Sequence, residues 1–389
     1  LKNVLNPGTK NAAAMHTKNI SAAGWTSGCY FPLFMILTRD NNKERRGAKM
    51  IKKIMVFLVI TMLAAILPAQ IKTIPLPDLQ KPETVSVDQT QMYISEGVFI
   101  YIYSLKDFKL IKKIGKSGEG PQEFMVDKRL GPLTLNVDSE DLLVDSLGKL
   151  SWFAKDGTFK REQKLPSPLI LFIQPFGKNF VAMGFDQENQ KAWRKLNLYD
   201  DKFTKLKEIY KVEHSMQQGK GLTVLQNPPF NTIYDKKLFV AWENDLIIDV
   251  YDMEINKLYT VKYDMEKRPV TENDKQKVID FLKTNSATKE FFEFLKPINF
   301  PSHYPAIQNL FVSGDKIYAP TFKEEGKQNE LLIFDIKGKF LKRVLITLVM
   351  DTPLTPFPYT IQDGFFYQTV EAPDEDDEAS WNLQVTEVK

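Results

Sequence analysis

The chain has 389 residues, 43% of them hydrophobic and 12% aromatic, including 27 Phe and 14 Tyr. That content excludes a disordered chain and supplies a sizeable core rich in strand-forming side chains. The formal charge of +3 is unevenly placed: residues 1–69 hold ten Lys and Arg against Asp40 and Glu44, so the remainder is mildly acidic. An acidic remainder argues against nucleic acid as partner, since phosphate binding needs a basic surface. Cys29, the single cysteine, lies in the same early segment. The rest of the chain therefore has no disulfide, thiol nucleophile or cysteine for a lipid anchor.

In chain order, the first feature is "MIKKIMVFLVITMLAAILPAQ" from Met50. Lys52 and Lys53 make a basic start, Ile54 to Leu67 an apolar run, and Ala69 a small residue for cleavage before Gln70. This predicts a secretory signal peptide over 50–69, with an apolar run short for a membrane span. An uncleaved anchor is the alternative, and only then would the membrane be a partner. Residues 1–49 show neither helical nor strand periodicity and read as a non-native upstream extension or a disordered tail. The expected location is extracytoplasmic, either periplasmic or secreted.

The stretch "IGKSGEGPQEF" from Ile114 packs three glycines and a proline into eleven positions. Phosphate loops have the spacings G-x-x-x-x-G-K-[ST] or G-x-G-x-x-G. Gly115, Gly118 and Gly120 follow neither, and Pro121, which has no N–H, comes next. The stretch reads as a structural connector in which glycines reverse the chain, Pro121 fixes φ and Phe124 anchors the far end. On this reading Gly120→Val destabilises the fold.

Three later stretches superpose: "LLVDSLGKLSWFAKDGTFKREQKL" from Leu142, "LFVAWENDLIIDVYDMEINKLYTVKY" from Leu238 and "IYAPTFKEEGKQNELLIFDIKGKFLKRVLI" from Ile317. Each has an apolar run, a polar gap, an apolar pair (Trp152-Phe153, Val250-Tyr251, Ile333-Phe334), a tight turn and a closing strand. Weaker copies start at Val98, Phe180 and Phe365. Six strand meanders at roughly forty-to-sixty-residue spacing predict an all-β fold, a six-bladed β-propeller over residues 75–389, because a lone four-stranded sheet cannot bury both faces. Seven blades remain an alternative if a long interval hides a degenerate repeat. The segment "IKTIPLPDLQKPETVSVD" is expected to supply a strand that closes the ring with the last blade.

A short helical insertion is expected at about 265–300. Thr271 and Asp274 have capping-box spacing, and Ile279, Leu282, Phe291, Phe292 and Leu295 recur near helical spacing. The apolar face is expected to cover one mouth of the ring, with partner binding as the alternative.

With these residues in view, the chain resembles the bacterial six-bladed β-propellers related to NHL repeats. The residues that carry the likeness are Gly118, Gly120, Pro121, Phe124, Asp145, Phe153, Asp156 and Gly157. It is good over about 90–165, recognisable at 317–345 and thin elsewhere. The resemblance implies that the glycine connector joins the outer strand of one blade to the inner strand of the next. It also implies that a metal site, as in related enzymes, would gather ligands around the central channel.

For such chemistry the later chain offers only His214 and His303, too few for a three-histidine zinc site, and it has no G-x-S-x-G. Calcium is the one cofactor with candidate ligands: Glu243, Asp245, Asp249 and Asp252, or the run Asp374, Glu375, Asp376, Asp377 and Glu378, neither in the spacing of a calcium loop. Trp152 and Trp381 read as packing between blades. Trp193, Trp242, His214 and His303 are the candidate ligand-face residues. The expected function is a non-catalytic binding or scaffolding module for a protein, peptide or glycan. The alternative is a metal-assisted hydrolase or lyase in the channel, which needs acidic side chains from at least three blades on the axis.

Overall fold

The computed structural model describes residues 71–388 except 128–130, 139, 190, 218, 227–229, 243 and 373–379. The extension 1–49, the signal segment 50–69, Glu243 and the acid run Asp374–Glu378 lie outside the described residues.

The chain starts with β1 (Ile71–Pro75) and then lays down four-stranded antiparallel blades. Blade 1 is β2 (Thr84–Val87), β3 (Gln91–Glu96), β4 (Phe99–Ser104) and β5 (Leu110–Ile114); blade 2 is β6 (Thr134–Val137), β7 (Asp141–Ser146), β8 (Lys149–Ala154) and β9 (Phe159–Lys164). Blade 3 has β10 (Leu171–Phe176), β11 (Asn179–Glu188), β12 (Lys191–Tyr199) and β13 (Lys205–Glu213). Two short strands, β14 (Met216–Gln217) and β15 (Gly221–Thr223), precede blade 4, which is β16 (Phe230–Tyr234), β17 (Lys237–Ala241), β18 (Leu246–Tyr251) and β19 (Lys257–Tyr263). After the insertion and its β20 (Ile298–Asn299), blade 5 has β21 (Phe311–Ser313), β22 (Lys316–Glu325), β23 (Gln328–Asp335) and β24 (Phe340–Ile346).

Blade 6 has three strands from this end of the chain, β25 (Tyr359–Gln362), β26 (Phe365–Ala372) and β27 (Ser380–Glu387). Its fourth strand is β1, which pairs with β27 from Ile71↔Thr386 to Pro75↔Asn382. The first strands touch in a closed circle, β2 to β6, β10, β16, β21, β25 and back to β2. Six blades close the ring, so the seven-bladed alternative falls, and the closing strand is the one expected from the sequence.

Each interface between neighbouring blades carries its own apolar cluster. Tyr93, Ile100, Leu142 and Phe153 join blades 1 and 2; Phe239, Ile248, Ile317 and Phe334 join blades 4 and 5; Tyr103 and Leu383 join blades 6 and 1. The strands' alternation of side chains puts one face of each sheet against the preceding blade and the other against the next, so both faces are buried without a second layer. Trp152 and Trp381 are both 6% exposed within such interfaces.

Antiparallel order makes the two ends of the ring unequal. Turns between first and second strands and between third and fourth strands share one end, and they are tight, for example residues 235–236 and 252–256. The opposite end receives all blade-to-blade connectors and the long hairpins β11–β12 and β22–β23.

At that loop-rich end the insertion forms α1 (Glu272–Thr284), a 3-10 turn (Lys289–Phe291) and α2 (Phe292–Leu295). Thr271 caps α1, its hydroxyl accepting from Asp274 N while Asp274 accepts from Thr271 N, the reciprocal box expected. Val278, Leu282 and Phe292 are buried against Leu222, Val224 and Leu354, and β20 pairs in parallel with β15. The insertion thus packs its apolar face on the connectors before blade 4 and between blades 5 and 6 at the loop-rich end, and lines neither the channel cavity nor the groove described below. Phe291 departs from the expected stripe: it is 58% exposed and Phe294 75% exposed. No helix among the described residues is long and apolar enough to cross a membrane.

Candidate functional site at the loop-rich end

The inner strands surround a channel cavity of about 330 Å³ lined by Ser86, Asn136, Gln174, Thr232, Thr360 and Gln362 together with apolar residues and one carboxylate, Asp138, which follows β6 and accepts from Glu140 N and Asp141 N in its own turn. None of the six inner strands carries a carboxylate. Several polar groups are engaged in holding the ring. Ser86 Oγ donates to the Leu135 carbonyl (3.0 Å), Asn136 Nδ2 to Ile173 (2.7 Å) and Gln174 Nε2 to Asn231 (3.2 Å), each reaching the first strand of the next blade. Between blades 5 and 6, Asp363 N donates to Ser313 Oγ at 2.8 Å. The inner strands are thus laced by neutral side chains that satisfy backbone groups of the neighbouring blade, three carbonyls and one N–H.

Among the described residues, the calcium candidates Asp245, Asp249 and Asp252 are each engaged separately. Asp249 is 3% exposed and its carboxylate accepts from Trp242 Nε1 (3.2 Å) and Thr260 Oγ1 and pairs with Lys257 (2.8 Å). These partners hold it below the usual carboxylate range against the opposing effect of burial, which is the largest single influence. Asp245 pairs with Lys267, and Asp252 caps its own turn through Glu254 N and Asn256 N. No group of three or more His, Cys, Asp or Glu is drawn together among the described residues.

The glycine connector runs from β5 toward β6. Phe124 is fully buried in the core shared by blades 1 and 2. Gly118 N donates to the Phe124 carbonyl (3.2 Å) and Phe124 N to Lys116 (2.7 Å). From blade 2, Lys149 Nζ donates to the carbonyls of Gly120 (2.8 Å) and Glu123 (2.7 Å). Next to Gly120, Pro121 stands at the turn closed by Glu123 N donating to the Gly120 carbonyl.

The stringent glycine is not the one the sequence suggested. Gly120 is outside the left-handed region, and a Cβ there would meet only the end of the Glu123 side chain, at 3.0 Å. Gly115 has φ +94°, and its Cβ would lie 2.3 Å from the Val98 carbonyl oxygen, which is backbone and cannot step aside.

All four candidate ligand-face residues lie at the loop-rich end. Trp193 opens β12 on the face toward Lys191 and Lys211, whose ammonium groups stand 5.9 and 4.7 Å from its ring. His303 is exposed beside Ser302, bridged to Pro269. Trp242 and His214 each have an aromatic neighbour: Tyr210 packs on Trp242 at 5.1 Å, and His214 stands edge-on to Phe185 at 5.8 Å. His214 Nδ1 accepts from Met216 N at 3.1 Å, and burial together with the nearby Arg194 charge lowers its pKa. Arg194, between these aromatic groups, was not singled out from the sequence. The signal was there: in "KAWRKLNLY" it shares the apolar phase with Ala192, Leu196 and Leu198.

None of these four lines the largest described cavity. That is a groove of about 720 Å³ at the channel mouth, formed where the inner strands begin. Pro82, Pro132, Pro356, Pro358, Phe357 and Trp381 line it, with Glu83, Asp351 and Glu371 against Lys81. Trp381 and Phe357 meet edge-on at 5.5 Å, and Trp381 Nε1 donates to the Gln80 carbonyl at 2.6 Å, so the aromatic wall is fixed. A second cavity of about 280 Å³ lies between the insertion and blade 5. Its Arg268 is already held by Asp274 (3.2 Å) and Glu324 (2.8 Å) and lies over the Tyr304 ring.

A ring of six antiparallel blades, laced around a channel and closed by a strand from the opposite end of the described chain, defines a six-bladed β-propeller with one elaborated end. The chain belongs to the DUF5128 family, described as a 6-bladed β-propeller, whose model matches residues 78–300, more than half of the sequence. Among solved structures it is similar to a member of the DUF4221 family from Bacteroides vulgatus, at 10% identity and TM-score 0.46, covering 83% of this chain and 98% of that one. It is also similar to the Neurospora crassa Pan2 WD40 domain, at 11% identity and TM-score 0.38, covering 82% and 94%. No curated protein matches it in sequence.

Proposed function

We propose that this propeller is a non-catalytic binding or scaffolding module, exported from the cytoplasm, that holds a protein, peptide or glycan ligand on its loop-rich end. The observation that carries the reading is the groove of about 720 Å³ at the channel mouth, walled by fixed aromatic and proline side chains. Concave, largely apolar sites with a few polar groups are where ligands bury their surface. Export rests on the Met50–Ala69 segment; N-terminal sequencing of protein recovered outside the cytoplasm should read from Gln70, and an intact segment there would favour the anchor instead.

The groove is tested by filling it. Thr355 is exposed on its wall, whereas Lys202 is exposed in a tight turn at the opposite end. In calorimetric titrations of a panel of extended peptides and oligosaccharides, Thr355→Trp should abolish binding that Lys202→Trp leaves intact. Binding that survives Thr355→Trp and is lost in Lys202→Trp would put the ligand on the other end and overturn the reading.

A further inference from the structure

Arg194 is the anomaly of blade 3. It lies on β12 opposite Phe185 of β11 and Val212 of β13, on the face turned toward blade 4. It is half-buried, its Nε is fully shielded from solvent, and that atom has no hydrogen-bond partner. Among the described residues no carboxylate forms an ion pair with it. This contrasts with its neighbour Lys195, which points to the other face and is held by Asp186 (2.9 Å), Glu188 and Glu208 (3.4 Å). Arg268, Arg343 and Lys149 likewise each have an acidic partner. A guanidinium taken partly out of water without a counter-charge is unfavourable, and proteins retain such a group where something else completes it.

We infer that Arg194 is the anchor for a carboxylate group of the ligand, seated at the edge between blades 3 and 4 with Phe185, Tyr210 and His214 around it. The inference rests on the loop-rich end being the ligand face. With Nε shielded, the donors open to a carboxylate are the two terminal Nη groups, whose planar end matches it with two parallel N–H···O bonds. A monoanion suits the site: Arg194 supplies one positive charge, while burial and that charge lower the His214 pKa and disfavour a second one beside it, so a phosphate dianion would be matched less well than a carboxylate. Tyr210 and Phe185 give an apolar flank to whatever bears the carboxylate.

The test uses the exported chain and sodium benzoate as probe, with sodium chloride at matched ionic strength as control. Benzoate should raise the Tm saturably, with half-effect near about 1 mM, an affinity in keeping with one charge-assisted fork. Arg194→Met should erase that response. It should also leave the probe-free Tm unchanged or about 2 °C higher, because it removes an uncompensated charge while keeping the packing of the stem. A lower Tm in Arg194→Met, with no benzoate response in the wild type, would show a purely structural arginine and overturn the inference. An equal response to inorganic phosphate would overturn the choice of carboxylate. Because benzoate reads Arg194 directly and Thr355→Trp reads the groove, either idea can fail without the other.

Discussion

At the scale of single residues, Asp145 is the most informative group outside the proposed ligand contacts. It is 5% exposed on β7, between Thr134 and Leu150 across the sheet. Its Oδ2 accepts from Ile173 N at 3.4 Å, where β10 bulges and Phe172 takes φ 56°. Burial pushes its carboxyl up to about 7, outweighing the backbone N–H groups of Ile173 and Phe172 that favour the charged form. The folded pKa thus lies above the unfolded value, so the folded state binds the proton more tightly. The associated stability is fully present near pH 4 and is lost as pH rises through about 7, on the order of 4 kcal/mol in all. His214 acts in the opposite direction over part of that window, since its lowered pKa makes folding more favourable as pH rises. Comparing Asp145→Asn with wild type isolates the aspartate. Melting curves from pH 5 to 8 should show the variant gaining on wild type steadily, with its largest advantage at pH 8. A difference that stays constant across that range would mean the carboxylate titrates normally.

At the scale of elements, most of the blade was legible because its turns are chemically specific. The aligned pairs Trp152-Phe153, Val250-Tyr251 and Ile333-Phe334 all fall where the third strand slips by one residue against the fourth. The turn that follows is the same in blades 2 to 5, and its fourth residue is left-handed: Gly157, Phe203, Ile255 and Gly338. Two solutions serve one geometry. Where glycine sits there, the previous blade closes over it, and a Cβ on Gly338 would come 2.5 Å from Val261 Cγ2. Where Phe203 or Ile255 sits there, the strained backbone costs on the order of 1–2 kcal/mol. Burial of the large side chain, 4% and 5% exposed, offsets this by about 1.5–3 kcal/mol. Sequence reading finds the glycine version and reads the other only by alignment, which is why blades 3 and 4 looked thin. The satellite strands β14, β15 and β20 escaped because two or three residues carry no period. The groove escaped for another reason: Pro132, Phe357 and Trp381 come from three distant segments, and only ring closure brings them together.

At the scale of the whole molecule, stability depends on one seam. Five blades are each continuous in sequence, but blade 6 is completed by β1, so the ring is held shut where the two ends of the described chain meet. The seam is reinforced just beyond the strand: Leu76 is fully buried, its N–H donates to the Trp381 carbonyl at 2.7 Å, and Leu79 is 3% exposed in the cluster joining blades 6 and 1. Without β1, β27 becomes an open edge and the wall of the groove that contains Trp381 loses its backing. Deleting residues 71–75 should therefore lower the Tm sharply, broaden the transition and promote association through the bare edge. A deletion can fail for trivial reasons, so a circular permutant provides the control. Ile71 and Thr386 are cross-strand partners, which places the joining points side by side. A permutant of residues 70–389 that links the ends through a short turn and opens at Lys202 keeps every strand but moves the break to blade 3. It should fold with a Tm at or above that of the parent, because the linked seam has less chain entropy to lose on closing. If the deletion melts like the parent, or the permutant fails while the deletion folds, the seam is not what holds the ring.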